Sequence, residues 1–225
     1  MEFKSIYRGR IIAGMSDYTK QIRVPVIRGL TPAEIAMARS IFKDSIKYQQ
    51  VKIWRGNLFH NITGNAQVLG NNMTFPAKTY DHYSKGSIDF SNTNNPTYQV
   101  WFIHEMTHIW QNQLGSSTLK HGACIFVGGK YFGSGAVQNG ENIDKPQAYS
   151  YDIIKDDMDF PDYSIEQQAE VISHYFRIIK FGQKAKFYHL KTHYETCLAY
   201  FLKDPSEPSL LPKDIEWIAC PSIIK

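Results

Sequence analysis

The stretch His104-Glu105-Met106-Thr107-His108 decides how this sequence of 225 residues is interpreted. It places two histidines four residues apart, with a glutamate directly after the first, inside an apolar segment that favours a helix. Residues four apart lie one turn apart on one helix face, so both imidazoles can face a single ion. Zinc accepts imidazole nitrogens, and we therefore predict a Zn²⁺ site with His104 and His108 as ligands.

The glutamate of this stretch is predicted to be catalytic. Zn²⁺ lowers the pKa of a water in an open coordination position to about 7. Glu105 stands beside the two ligands in the sequence, and we expect it to take the proton of that water and pass it later to a leaving group. The sequence thus favours an enzyme, a zinc-dependent hydrolase of peptide bonds.

A catalytic zinc site usually has three protein ligands and one open position. The pattern HExxHxxGxxH would supply a third histidine at position 114, but Leu114 stands there. A second helix is predicted after Ser164, which begins a capping box and is followed by Glu166 and Glu170. We predict Glu166 as the third ligand and Glu170 as the acceptor for an N–H of a ligand imidazole. The alternatives for the third ligand are Glu170, His121, Glu141 and Asp152.

Peptide hydrolysis also needs a hydrogen-bond donor for the developing oxyanion. His174 lies two turns after Glu166 on the same predicted helix and is one candidate, although an ordinary surface histidine is an equal interpretation. The other candidates are Tyr149, Tyr163 and Tyr175. An extended peptide is expected to pair with an edge strand over Asn72–Tyr80.

The remaining patterns predict an α+β fold with a small mixed sheet, and the whole chain, 1–225, is interpreted as one domain because no linker divides it. Helices are expected over 32–46, 97–114, from 164 onward and over 184–202. Strands are expected over 21–27, 51–54, 72–80 and 87–90, and loops over 56–72 and 115–148, the second with a short hairpin. A helical turn is expected over 149–157, and the proline-rich tail is expected to wrap the surface.

Composition excludes several classes of protein. Lysine and arginine number 25 against 21 acidic residues, and this formal charge of +4 does not favour nucleic-acid binding. No apolar run approaches the roughly 20 residues of a membrane span, and the first residues show no signal-peptide pattern. The three cysteines, Cys124, Cys197 and Cys220, are expected to be reduced, with a Cys197–Cys220 disulfide as the alternative.

Two segments carry a resemblance to a known family. The string HEMTHIWQ, residues 104–111, resembles the metal-binding helix of zincin-like metallopeptidase domains in bacterial secreted toxins. It is especially similar to the domain at the C-terminus of some type VI secretion VgrG-type spike proteins and to domains of Rhs-type toxins. The string SIEQQAE, residues 164–170, resembles the family segment whose first glutamate is the third zinc ligand. The similarity covers residues 30 to 180, roughly.

The resemblance implies a zinc metallopeptidase of the gluzincin type that acts as an effector toxin against a bacterial competitor or a host cell. It implies a peptide or protein substrate, a secretion spike or carrier, and a cognate immunity protein. It also implies synthesis in a bacterial cytoplasm and delivery into the periplasm or cytoplasm of a target cell. Two alternatives stay open: a hydrolase of cell-wall peptide bonds in the target periplasm, and a non-catalytic module whose structural zinc takes His121 or His174 as a fourth ligand.

Overall fold

The computed structural model describes residues 27–56, 66–81, 88–93, 95–127, 129–155 and 158–213. These residues form a four-stranded mixed sheet, a two-stranded hairpin and a set of α-helices, which confirms the predicted α+β class. The strand predicted over 21–27 lies outside the described residues except for its last residue. That residue, Ile27, begins the first observed strand.

The helices are α1 (Pro32–Phe42), α2 (Ala77–Tyr80), α3 (Pro96–Leu114), α4 (Thr118–Val127), α5 (Ile165–Phe181), α6 (Lys191–Cys197) and α7 (Ala199–Lys203). The strands are β1 (Ile27–Gly29), β2 (Lys52–Arg55), β3 (Gln67–Leu69), β4 (Asn72–Phe75), β5 (Ala136–Gln138) and β6 (Glu141–Ile143). Helices α3 and α5 pack against each other, and α3 also contacts β3 and β4 of the larger sheet. The fold therefore holds α3, with its two histidines, between the sheet and α5.

The larger sheet has the order β1-β2-β4-β3, in which β2 and β4 run parallel and the other two pairs run antiparallel. The edge strand predicted over Asn72–Tyr80 is therefore wrong. Its first four residues form β4, which is paired on both sides, and Pro76 ends that strand and leads into α2. Proline lacks a backbone N–H, and here it terminates a central strand instead of marking an edge. The expected loop over 56–72 contains β3, which makes a hairpin with β4 through Gly70 at φ +58°.

The start of α1 is fixed by the predicted capping box. The Thr31 hydroxyl accepts a hydrogen bond from the backbone N–H of Glu34, and the Glu34 carboxylate accepts one from the N–H of Thr31. That carboxylate is fully buried and also pairs with Arg28 of β1 at 2.7 Å. Buried charge is costly unless it is paired and hydrogen-bonded, so these contacts tie β1 to the N-terminus of α1. The helix ends at Phe42, four residues before the predicted end.

Helix α3 matches its prediction closely. The Asn95 side chain caps its N-terminus, and Gly115 ends it in a left-handed conformation at φ +116°, where a side chain would be strained. Its buried apolar residues join the main core, where they meet residues of α1, α5 and the sheet: Phe102, Ile103, Met106, Ile109 and Trp110. This packing holds the helix, and the histidines on it, in one orientation.

The segment after α3 is more regular than predicted. The expected loop over 115–148 contains α4, although its short hairpin, β5 and β6, is confirmed. Of the helical turn expected over 149–157, the structure has a turn over 153–155, whereas Tyr151 makes a parallel bridge to Gln138 of β5. The strand expected over 87–90 is wrong for its described part, because the Asp89 side chain caps a 3₁₀ turn over Phe90–Asn92.

The C-terminal part is broken into short pieces. The helix expected over 184–202 is divided into 3₁₀ turns, α6 and α7. The tail does not simply wrap the surface, because the carbonyl of Pro205 accepts the indole N–H of Trp110 at 2.7 Å. The carbonyl of Leu210 likewise accepts a hydrogen bond from the buried Gln168 of α5. The described tail therefore closes the core beside both long helices.

Two sequence expectations concern cysteines and membranes. Cys197 is a free thiol among the described residues, and burial raises its pKa to about 12. The Cys124 side chain and Cys220 lie outside the described part, so a Cys197–Cys220 pairing is outside it as well. None of the helices within the described ranges combines the length and hydropathy that a membrane span requires.

Candidate metal centre

The two histidines of the HExxH stretch point into one buried site. His104 and His108 lie on the buried face of α3, and their ring centroids are 5.0 Å apart. One turn of helix separates them, which gives both rings access to a common point. The side chain of Thr107 between them bonds back to the carbonyl of Ile103 at 3.0 Å and so points away from that site.

Glu166, at the start of α5, brings a carboxylate to the same point. Its Oε2 lies 3.3 Å from Nε2 of His104 and 3.4 Å from Nε2 of His108. An ion bound tetrahedrally at 2.0–2.1 Å has ligand atoms separated by about 3.3–3.4 Å. This oxygen is buried and makes no well-aligned hydrogen bond to any described residue. Three possible ligand atoms, one of them this buried oxygen, thus lie at a spacing suited to zinc.

The other ring nitrogens are held by neighbouring acceptors. Nδ1 of His104 lies 3.1 Å from Oε1 of Glu170, and Nδ1 of His108 lies 2.9 Å from Oε1 of Gln111. The Gln111 amide donates both its hydrogens, to Gln168 and to the carbonyl of Ile165, so its oxygen faces the imidazole. Both Nδ1 atoms therefore donate a proton to their acceptors, and both Nε2 atoms face Glu166, where a metal would replace any proton that they carry.

The carboxylate behind His104 is itself surrounded by donors. Glu170 receives hydrogen bonds from the amide of Gln138 on β5 and from the ammonium of Lys145 just after β6, each at 2.6 Å. Glu170 thus lies within reach of the His104 ring, and its role as the acceptor for a ligand imidazole stays a prediction. The hairpin of β5 and β6 supports His104 through this carboxylate, and neither Gln138 nor Lys145 carried a predicted role.

Electrostatics at the site favour a positive charge. Burial opposes the protonated form of His104, but its close contacts with the Glu166 and Glu170 carboxylates outweigh that effect and raise the His104 pKa to about 10. Burial likewise opposes the charged form of Glu166, but the two imidazoles hold the pKa of that carboxyl well below its ordinary value. A site that binds protons this strongly also attracts a metal cation, which replaces the protons on the imidazoles.

Glu105 lies next to the ligands without belonging to the cluster of three. Its Oε1 accepts the indole N–H of Trp101 at 3.0 Å, which fixes one oxygen and leaves the other for a proton. Burial raises the pKa of this carboxyl, although the nearby His104 and His108 lower it in part. A carboxylate of raised pKa beside the ligands has the position and basicity of a general base.

Two tyrosines complete the wall of the site. The Tyr131 hydroxyl donates to Oε1 of Glu166 at 2.6 Å, and its ring centroid lies 6.3 Å from that of Tyr149. The Tyr149 ring lies 6.1 Å from the ring of His104. Burial, followed by the charges of Glu166 and Glu105, raises the Tyr149 pKa, so its hydroxyl keeps its proton. Sequence reasoning found Tyr149 only as one of four donor candidates and did not find Tyr131.

The other donor candidates lie in different surroundings. The His174 Nε2 is 4.0 Å from Glu170, and its Nδ1 is 2.5 Å from the hydroxyl of Tyr151. Tyr163 packs against the Tyr151 ring in the core, and Tyr175 interacts with Glu195 and Lys191 on α6. A role for His174 in stabilising an oxyanion stays a prediction.

The alternative third ligands do not join the cluster. Among the described residues, the group of possible metal ligands at this site consists of His104, His108 and Glu166. Glu141 pairs with Lys186 at 2.8 Å, and Asp152 caps the backbone of the turn that follows it. Lys145 reaches the cluster only through its tertiary contact with Glu170, whereas Gln111 follows His108 by three residues on the same helix.

Comparison with known proteins finds a partial relative. No family model matches the sequence. The chain is 28% identical over 156 residues to the type VI secretion system spike protein VgrG2b of Pseudomonas aeruginosa. The matched region is 66% of this chain but 13% of that protein, so this chain corresponds to a small part of its length.

A solved structure shows the same fold. The effector domain of Pseudomonas aeruginosa VgrG2b matches with a TM-score of 0.51 and 24% sequence identity. The match covers 84% of this chain and 93% of that domain. The α+β arrangement described above is therefore the fold of that effector domain.

Proposed function

We propose that this chain is a zinc-dependent metallopeptidase that acts as an effector toxin of a type VI secretion system. The observation that carries the catalytic part is the meeting of His104 Nε2, His108 Nε2 and Glu166 Oε2 in a buried site, with Glu105 beside them. The donor set of two imidazoles and one carboxylate is the set of several zinc peptidases.

Support for a catalytic ion over a structural one comes from the number of ligands. Structural zinc sites are closed by four protein ligands, whereas catalytic sites keep one position open. The described part of the chain supplies three ligands, and His174 is turned toward Glu170 and Tyr151. This arrangement argues against the alternative of a binding module with a closed zinc site.

Each residue at the site has its own role in the proposed reaction. A Zn²⁺ ion held by the three ligands would supply Lewis acidity, which acidifies a water and polarises the substrate carbonyl. Glu105 takes a proton on the oxygen that Trp101 leaves free, and it returns that proton to the leaving amine. Tyr149, which stays protonated beside His104, is the donor candidate best placed to bind a developing oxyanion.

The effector part of the proposal rests on the similarity to VgrG2b and to its effector domain. The spike protein is named as part of a type VI secretion system, and the solved domain is named as its effector. By extension, this chain would be carried by a secretion spike into a target cell, where it would cleave a peptide or protein substrate. An immunity protein would protect the cell that produces it.

The central experiment separates metal binding from catalysis. Purified protein is analysed for zinc and for cleavage of peptide mixtures, alongside Glu105→Gln and the exposed control Glu207→Gln. We expect Glu105→Gln to retain zinc and to lose activity by about 10²–10⁴-fold, because its amide takes up no proton. The control should behave as wild type. Full activity of Glu105→Gln would refute the mechanism.

The compartment in which the protein acts is tested by expressing it in a bacterium with and without an export signal. The bacterium should grow more slowly when the protein is in the compartment that holds the substrate, and Glu105→Gln should abolish that effect. Toxicity confined to the cytoplasm would exclude a cell-wall substrate. Equal toxicity of wild type and Glu105→Gln in every compartment would argue against an enzymatic toxin.

A further inference from the structure

The carboxylate of Glu166 has two oxygens in different surroundings. Oε2 faces the two imidazole Nε2 atoms at 3.3 and 3.4 Å, whereas Oε1 accepts the phenol O–H of Tyr131 at 2.6 Å. A hydrogen bond this short to a buried carboxylate is of the strong, charge-assisted kind. The two oxygens therefore have distinct partners before any metal arrives.

Tyr131 is held in place by the turn that carries it. The backbone N–H of Phe132 bonds to the carbonyl of Gly129, and the carbonyl of Lys130 accepts the N–H of Ala148 at 3.0 Å. Gly129 and Gly133, at φ +71° and +79°, provide the left-handed conformations that this turn requires. The segment is thereby fastened to the turn over Gln147–Tyr149, which places Tyr149 next to the site.

The hydrogen bond bears on how many oxygens Glu166 gives to a metal. A free carboxylate can bind an ion through one oxygen or through both, and a second bound oxygen raises the coordination number and crowds the position that solvent would take. The Tyr131 hydroxyl occupies the second oxygen and turns it away from the imidazoles. We propose that Tyr131 is a positioning residue that restricts Glu166 to one-oxygen coordination and so keeps the fourth metal position available.

This inference rests on the proposed zinc site, and it is tested with cobalt as a spectroscopic probe. Tetrahedral Co²⁺ absorbs visible light strongly, and the absorption weakens when the coordination number rises. Wild type and Tyr131→Phe are loaded with Co²⁺, and their visible spectra are compared with that of Tyr200→Phe, which removes a hydroxyl from an exposed position on α7. Circular dichroism checks that all three proteins are folded.

We expect intense bands for wild type and Tyr200→Phe and a clear loss of intensity for Tyr131→Phe, because the freed oxygen binds the ion. Identical spectra for all three folded proteins would overturn the role of Tyr131 and leave the zinc site standing. A wild-type protein that gains no visible absorption with Co²⁺ would instead overturn the metal site, and this inference with it.

Discussion

Gln111 connects His108 on one long helix to the start of the other, at Ile165 and Gln168. Its Oε1 lies 2.9 Å from Nδ1 of His108, and its amide nitrogen lies 3.0 Å from Oε1 of Gln168 and 3.1 Å from the carbonyl of Ile165. The orientation of His108 therefore depends on how α3 and α5 are packed. Since α5 also carries Glu166, one set of buried hydrogen bonds sets the relative position of two of the three proposed ligands.

Replacing Gln111 tests this connection. We expect Gln111→Leu to weaken zinc binding by about 10–100-fold, the usual effect of losing a partner of a ligand imidazole. The amide oxygen of Gln168 and the carbonyl of Ile165 each lose a donor, which should lower the free energy of unfolding by about 1–3 kcal/mol. The matched control is Gln113→Leu, since Gln113 is on the same helix but bonds to Asn71 and Lys47. Zinc affinity is measured by competition with a chelator. Equal affinities for Gln111→Leu and Gln113→Leu would contradict the account.

Glu170 should support the metal without touching it. Glu170→Gln removes the negative charge that faces Nδ1 of His104 and leaves Lys145 without its carboxylate. We predict zinc affinity about 10–100-fold lower, with the same number of zinc ions bound at saturation. Glu195→Gln, which breaks the surface ion pair with Lys191, is the control and should leave zinc affinity unchanged. Loss of the binding site itself would mean that Glu170 is a ligand.

Zinc binding should release protons at a pH where ordinary histidines are already neutral. In the metal-free protein, burial opposes the charged form of His104, but the neighbouring carboxylates raise its pKa to about 10. This charge stabilises the metal-free fold fully below pH 6.5, and the contribution is lost as the pH rises toward 10. At pH 8 the ring still holds a proton that zinc must displace. Titration calorimetry in two buffers of different ionisation enthalpy should show at least one proton released per zinc, and no buffer dependence would refute this protonation state.

His174 should lower the stability of the folded protein in acid. Burial holds its pKa at about 4, since the ring is packed against Tyr151 and Phe187. A histidine with a folded pKa below 6.5 takes up protons preferentially in the unfolded chain, so stability falls as the pH drops from 6.5 to 4. The full effect amounts to about 3 kcal/mol.

Urea denaturation of the metal-free protein at several pH values measures this effect. His174→Gln should flatten the dependence between pH 6.5 and pH 4, whereas the exposed control His189→Gln should not. The same slope in both variants would show that another group dominates acid unfolding.

Local sequence signals are sufficient to predict the main helices and to group the three proposed ligands. Capping boxes at Thr31 and Ser164 and the glycine stop at Gly115 depend on residues that are close in the chain, and the structure has all three. The spacing of His104 and His108 predicts a shared helix face, which the structure also has. Glu166 lies near them in the fold, as the sequence predicted, although its binding of zinc stays a prediction.

The errors arose where long-range pairing decides the structure. Pro76 suggests an edge strand, but β4 is paired on both sides. One partner, β2, is distant in the chain, and the other, β3, is joined to β4 by the turn at Gly70. The supporting residues Lys145, Gln138 and Tyr131 could not be found because each reaches the site through tertiary contacts. Gln111 had a usable signal, since it follows His108 by three residues and therefore lies on the same helix face.

The measurement that tests the central claim most directly is zinc K-edge X-ray absorption of the zinc-loaded protein, recorded for wild type and Glu166→Gln. For wild type we predict one zinc per chain, with two imidazole ligands and two oxygen ligands at 2.0–2.2 Å, about the distances of a tetrahedral site. Glu166→Gln should lose an oxygen ligand or fail to hold the ion. A wild-type protein that retains no zinc, or a spectrum with a third imidazole or a sulfur ligand, would contradict a site made by His104, His108 and Glu166.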